Sequence, residues 1–384
     1  MMKKWIIFCL WLALFCSCTD DKINYSYTLQ PADTFLKYEL DSDVKMPLLV
    51  RTCMGNNDYL YFQNDVWPEL LIYDLPNGSL IKRNRFEVEG TNAIQGGFLH
   101  GFMMTDCNHI FISGMANGYL YETDTTGCIK HENRFSENGN GYRPLSCFKD
   151  NGKMELIDGK LYLPQSLNWQ LGDKVMESPL MCNVDMESGN VEPLSMVFPQ
   201  QLEKEYLERG QPTSIAAEYK YCFDGHNFVY SFAYLNELII VDPMTCQVSY
   251  KSDKSRYISK IGIPFSRNLD LNQFNKKFLE SPSYGNILYD NENKVYYRIV
   301  YVPQNIENNM NMISLIHCGR KQFSIMIYDE EFNVIGEDLF PEYTYNPRLC
   351  FVYKGSLYIS TNHVMNPDYS DDILSFQKID LVKL

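Results

Sequence analysis

Tyr59-Leu60-Tyr61, Leu70-Leu71-Ile72-Tyr73-Asp74, Gly78, Ile81-Lys82 and Phe86 form an ordered series that the chain at once repeats. About fifty residues on stand His109-Ile110-Phe111-Ile112, Tyr119-Leu120-Tyr121-Glu122-Thr123-Asp124, Gly127, Ile129-Lys130 and Phe135. Each copy reads as a strand, a loop, a second strand ending in Asp, a Gly-containing turn and a third strand. The Asp side chain bonds the turn backbone and the Gly tolerates positive φ, which is hairpin chemistry. A β unit that recurs at this spacing is one blade of a wheel. Alone it leaves both faces wet, whereas radial stacking buries each against its neighbours.

Weaker copies follow. Lys160-Leu161-Tyr162-Leu163 goes with Asn183-Val184-Asp185 and Gly189, and Phe228-Val229-Tyr230 with Leu238-Ile239-Ile240-Val241-Asp242. Val295-Tyr296-Tyr297-Arg298 goes with Ile325-Met326-Ile327-Tyr328-Asp329, and Leu357-Tyr358-Ile359 with Phe376-Gln377-Lys378-Ile379-Asp380. The expected fold is all-β, a six-bladed β-propeller in preference to seven blades; a sandwich or two barrels would need no such repeat. Tyr25-Ser26-Tyr27-Thr28-Leu29 alternates as a strand should. It precedes the first complete unit, and the last unit is one strand short. It is therefore expected to pair into the final blade, closing the ring and removing two exposed edges. Two short helical insertions are expected between blades. Pro199 to Gly210 has Pro at its start and Gly at its end, and Asn272 to Leu279 places Phe274 and Phe278 four apart. Asn305 to Asn311 reads as a surface excursion within the fifth blade.

The N-terminus carries an address. Lys3 and Lys4 precede an apolar run, Trp5 to Phe15, of about eleven residues, too short to span a bilayer. Phe15-Cys16-Ser17-Cys18 then reads as a lipobox whose final cysteine becomes the lipidated first residue. The alternative is an ordinary cleaved signal with Cys18 incidental. The expected organisation is a signal peptide over 1–17, a lipidated tether over 18–24 and a single propeller over 25–384. Outer-membrane lipid would then be a partner through acylated Cys18. Thr19-Asp20-Asp21 behind the cysteine resembles the export signal of Bacteroidota surface lipoproteins. That resemblance implies an outer-membrane lipoprotein at the cell surface, in preference to the periplasmic face.

Composition narrows the chemistry. A net charge of −14 argues against nucleic acid, whose phosphates demand a basic footprint. No second apolar run approaches a membrane span. Beyond Cys18, the widely spaced Cys53, Cys107, Cys128, Cys147, Cys182, Cys222, Cys246, Cys318 and Cys350 form no C-x-x-C pair. Mostly free, buried thiols are expected, with room for one or two bridges. The histidines His100, His109, His131, His226, His317 and His363 are scattered and lack the H-E-x-x-H arrangement, so neither metal nor cofactor is expected. No G-x-S-x-G elbow is present. Asp and Glu are too numerous for a glycosidase-type pair to be picked out. Trp67, Trp169, Tyr284, Tyr296 and Tyr297 suit either sugar stacking or blade core.

Three stretches carry a family likeness: Phe86-Glu87-Val88-Glu89-Gly90-Thr91-Asn92-Ala93-Ile94, Ser281-Pro282-Ser283-Tyr284-Gly285-Asn286-Ile287-Leu288-Tyr289-Asp290, and Tyr296-Tyr297-Arg298-Ile299. Over essentially its whole length the chain resembles a group of Bacteroidota lipoproteins, domain of unknown function family 4221. The resemblance implies a six-bladed, loosely TolB-like propeller and assigns no activity. Thr91 stands where the family has Pro and Ala93 where it has Gly, so this loop is expected to differ in shape.

Propellers bind ligands where loops converge over the channel, which selects the candidates. Glu89 and Asn92 join the first two blades, with a tight turn on Gly90 as the structural alternative. Arg298 suits a carboxylate or phosphate at the channel, or an ion pair between blades. Arg256, Arg267 and Arg348 are candidates to join it, with Tyr284 beside them. The preferred function is a non-enzymatic binding module for a glycan, peptide or partner protein, because no nucleophile, metal or phosphate motif is present. The alternatives are a polysaccharide-active hydrolase or lyase, and a periplasmic envelope-assembly factor as the TolB likeness implies.

Overall fold

A computed structural model describes residues 25–94, 99–114, 118–134, 153–202, 217–264, 269–307, 310–317 and 319–384. The expected signal peptide and tether lie outside the described residues. Among these residues, 24 strands make six four-stranded antiparallel sheets. Blade 1 is β2 (Arg51–Cys53), β3 (Tyr59–Gln63), β4 (Glu69–Asp74) and β5 (Leu80–Arg85). Blade 2 is β6 (Leu99–Asp106), β7 (His109–Gly114), β8 (Tyr119–Thr123) and β9 (Ile129–Arg134). Blade 3 is β10 (Glu155–Ile157), β11 (Lys160–Pro164), β12 (Met181–Asp185) and β13 (Val191–Pro193). Blade 4 is β14 (Tyr219–Phe223), β15 (Phe228–Phe232), β16 (Glu237–Val241) and β17 (Val248–Ser252). Blade 5 is β18 (Ser283–Asp290), β19 (Val295–Tyr301), β20 (Phe323–Tyr328) and β21 (Val334–Leu339). Blade 6 takes β22 (Asn346–Tyr353), β23 (Ser356–Ser360) and β24 (Ile373–Lys383) from the C-terminus and β1 (Tyr27–Glu39) from the N-terminus. First strands meet across blade boundaries, β2 with β6, β14 with β18 and β18 with β22. The second strands are core, with β15 and β23 buried throughout, while the outermost β17 is exposed at every residue.

The repeated Asp and Gly have distinct jobs. Asp74, Asp124, Asp185, Asp242 and Asp329 accept from the turn N–H groups of Asn77, Thr126, Ser188, Thr245 and Asn333. In blades 1 to 3 a glycine closes the turn with positive φ, +81° at Gly127, and also lets blades meet, whereas Cys246 and Phe332 take the positive φ in blades 4 and 5. A Cβ on Gly127 would stand 2.7 Å from the Arg85 carbonyl oxygen on the preceding blade. Beside these turns, buried Asn84 and Asn133 donate across blade boundaries to the carbonyls of Asp124 (3.1 Å) and Gly189 (3.2 Å). The periodicity seen in the sequence is thus partly an inter-blade contact, made at the turns of blades 1 to 3.

The N-terminal strand closes the ring, as expected, but it is longer than Tyr25–Leu29. It pairs with β24 from Tyr27 opposite Lys383 to Glu39 opposite Ile373. A bulge between Pro31 and Phe35 accommodates the proline, which has no N–H for the ladder. Beyond it Tyr38 crosses the seam: its hydroxyl donates to the Leu75 carbonyl at 2.8 Å, and its ring meets Tyr73 of blade 1 and Phe376 of blade 6 edge-on.

Helix α1 (Leu271–Glu280) joins blades 4 and 5 and opens on a capping box formed by Asp270 and Gln273. The segment beginning at Pro199 is helical over 200–202, and its remainder lies outside the described residues. The Asn-rich excursion in blade 5 is more than surface: it leads to α2 (Met312–His317), whose buried Leu315 packs with Ile306 and with Leu279 of α1. The described cysteines are free; Cys53, Cys182 and Cys350 are buried, Cys107, Cys222 and Cys246 partly so, and Cys128 is exposed.

Candidate ligand cavity at the channel mouth

First strands begin, and second strands end, at the same face of a propeller. There β14, β18 and β22 of three consecutive blades surround a small cavity that opens to solvent. Leu48 and Leu49, which lead into blade 1, and Phe278 of α1 supply apolar wall. Tyr234 lines it from the loop after β15, Tyr301 from the end of β19, and Tyr284 from β18.

Arg320 is the buried cation of the lining. The α2 segment ends at Gly319 and Arg320, two consecutive residues with positive φ, +83° and +73°. A non-glycine residue there is uncommon, and the surrounding structure must hold it. The Arg320 N–H donates to the Leu315 carbonyl at 2.9 Å, and buried His363 donates from Nε2 to the Arg320 carbonyl at 2.9 Å. Nδ1 of His363 accepts from the Met365 N–H at 3.2 Å, so these partners assign a neutral imidazole with its proton on Nε2. Burial lowers the His363 pKa, in keeping with that form.

The Arg320 side chain is only 3% exposed. Its guanidinium lies 4.6 Å from the ring centroids of both Phe278 and Tyr301. Nη1 donates to the Ser281 carbonyl and Nη2 to Ser283 Oγ at 2.9 Å. Burial pulls its pKa below the ordinary value, and Arg348 adds to that as a neighbouring like charge. Burial also pushes the Tyr301 hydroxyl up to about 12. Arg348 is half-buried on the cavity wall, with Nη1 donating to the Ile316 carbonyl at 3.1 Å. Lys220 adds a third cation, and Glu218, the one carboxylate among the described lining residues, sits 3.1 Å from it.

Of the candidates from the sequence, the structure brings Tyr284 and Arg348 to this cavity. Arg298 stands behind it, fully buried between blades 4 and 5. Its fork donates to Ser231 Oγ (2.9 Å) and to the carbonyls of Asn236 (2.7 Å) and Leu235 (2.8 Å), and its face covers Tyr284 at 3.5 Å. Arg298 therefore bridges blades through carbonyls and a hydroxyl rather than a carboxylate, and it touches the cavity only through Tyr284. Arg256 lies away from the channel, against the outermost strand of blade 5, bonded to Glu337 and stacked on Tyr25 and Tyr257. Asn92 binds the outer hairpin of blade 2 with both ends of its amide, donating to Gly127 O and accepting from Ile129 N. Glu89 is exposed beside Gly90, whose φ of +99° makes the turn. Arg267 lies outside the described residues. No motif in the sequence singles out Arg320. Gly319 after an apolar helical turn signals a helix end, but nothing local says that the next side chain enters the channel.

A second polar group sits further along the channel. Lys153 Nζ lies 3.7 Å from Glu155 Oε2 of blade 3, and the Tyr221 hydroxyl of blade 4 donates to the Lys153 carbonyl. Burial raises the Glu155 pKa, while Lys153 and then Arg51 of blade 1 act to lower it. Among the described residues no group of three His, Cys, Asp or Glu side chains is placed to hold a metal ion.

Fold and site together define a six-bladed β-propeller with a cation-lined, aromatic-walled cavity at one mouth. The chain belongs to the family described as domain of unknown function (DUF4221), whose profile matches residues 26–339. A crystal structure of a member of that family from Bacteroides vulgatus ATCC 8482 superposes with a TM-score of 0.81 at 21% identity, covering 94% of this chain and 100% of that one. A protein from Bacteroides fragilis NCTC 9343 has the same fold with a TM-score of 0.54 at 12% identity, covering 92% and 96% of the two chains. No curated protein matches.

Proposed function

We propose that this propeller is a lipid-anchored binding module of the cell envelope, which takes a glycan, a peptide or a segment of a partner protein into the cavity between blades 4, 5 and 6. The observation that carries the reading is the cavity itself, where three consecutive blades contribute polar and aromatic groups to one concave site. Among the described lining residues one carboxylate appears, Glu218, and it is engaged with Lys220. Glycosidic hydrolysis ordinarily needs a second carboxyl across the bond, and the described lining residues favour binding over that chemistry. The lipobox ending at Cys18 and the acidic Asp20-Asp21 support anchoring and display at the cell surface.

Glycan and peptide arrays probed with the full chain and with Leu48→Trp, which fills the cavity from its apolar wall, test the site. A ligand retained by the parent and lost by the variant is the expected result; equal binding by both would sink the assignment. Incorporation of labelled palmitate that disappears in Cys18→Ser, with protease sensitivity on intact cells, is expected for the address.

A further inference from the structure

Resting on the cavity as the ligand site, we infer that it recognises an oxyanion, a carboxylate or phosphoryl group of a compact ligand, held by Arg320 and Arg348. A buried guanidinium is costly unless an anion or a full set of hydrogen bonds compensates it. Arg320 is buried between two rings, and among the described residues it forms no ion pair with a carboxylate. Its two assigned bonds go to a neutral carbonyl and a hydroxyl. Among the described lining residues a second arginine and a lysine face the same space, with one glutamate. Like charges brought together at one mouth of a chain with net charge −14 need a reason beyond solubility. The aromatic walls lower the local polarity, which strengthens any charge-assisted bond formed inside. Gly319 serves the same end: a Cβ there would stand 2.5 Å from Pro347 Cδ, so glycine lets the Arg320 segment lie against β22, one residue before Arg348.

Calorimetric titration of the full chain in detergent with sodium glucuronate, glucose and inorganic phosphate tests this. At least one oxyanion is expected to bind about tenfold or more tightly than glucose, and Arg348→Gln or Lys220→Met should lower that affinity by about tenfold. Both variants replace partly exposed side chains, so an unchanged melting temperature separates lost binding from lost folding. Preference for glucuronate identifies a carboxylate ligand, and preference for phosphate a phosphoryl ligand. Failure of both anions to bind, or glucose binding as tightly with no response to either variant, overturns the inference. Charge-insensitive binding that Leu48→Trp abolishes would leave the cavity reading standing without the anion. Oxyanion binding that survives Leu48→Trp would overturn both.

Discussion

Removing the ring of Tyr38 tests whether closure of the wheel by the N-terminal strand holds the fold. Tyr38 is fully buried where β1 of blade 6 meets blade 1. Deleting a buried aromatic side chain costs about 3–5 kcal/mol. The edge-on contacts with Tyr73 and Phe376 contribute about 0.5–1.5 kcal/mol each beyond their area. Tyr38→Phe keeps the rings and removes only the bond to the Leu75 carbonyl, which is left buried at a cost of about 1–3 kcal/mol. Tyr38→Ala should therefore lose about 5 kcal/mol, enough to threaten a domain of ordinary stability. Phe35 lies on the same strand but is 44% exposed, so Phe35→Ala should change stability by only about 0.5 kcal/mol. Guanidinium titrations followed by circular dichroism and tyrosine fluorescence rank the variants. The order Ala, then Phe, at position 38, with Phe35→Ala near the parent, is expected. A Tyr38→Ala midpoint no lower than that of Phe35→Ala would refute the role of the seam.

Other outcomes follow from particular contacts. Arg298→Met leaves the Leu235 and Asn236 carbonyls unpaired and should cost about 2–4 kcal/mol in thermal unfolding. Its effect on glucuronate affinity should be smaller than that of Arg348→Gln; the reverse order would make Arg298 the ligand group. Gly336→Ala puts a Cβ 2.5 Å from the Tyr27 carbonyl of the closing strand, and a loss of about 1–3 kcal/mol is expected by denaturant titration. His363 is buried neutral, with a folded pKa below its unfolded value of about 6.5. Its contribution is complete above that value and is lost as pH falls through the lowered folded pKa. Melting temperatures from pH 7.5 downward should thus fall more steeply for the parent than for His363→Gln, and parallel curves would contradict this.

The fold was legible because each blade repeats the same local chemistry. Asp74, Asp124 and Asp185 mark turns that any one blade needs, and the glycines behind them mark where blades touch. Closure was legible from a missing strand, although only the first residues of β1 alternated cleanly; Pro31 hid the rest behind a bulge. The site was harder. Arg298, which follows two tyrosines within a strand, is conspicuous in sequence, but strand alternation does not distinguish a side chain aimed at the channel from one aimed at the next blade. Arg320 lies in a connection, and its burial depends on Phe278, Tyr301 and His363, contributed by blades and helices distant in sequence. Arg348 was in view as a strand-entry arginine, and it is strand entry that places a residue at this mouth.

The most direct measurement is a crystal structure of the chain with whichever of glucuronate or phosphate binds. The account predicts an oxyanion in the cavity between blades 4, 5 and 6, within hydrogen-bond reach of the Arg320 or Arg348 guanidinium. The same ligand seated instead beside Lys153 and Glu155, or on the outer rim near Arg256, would contradict it.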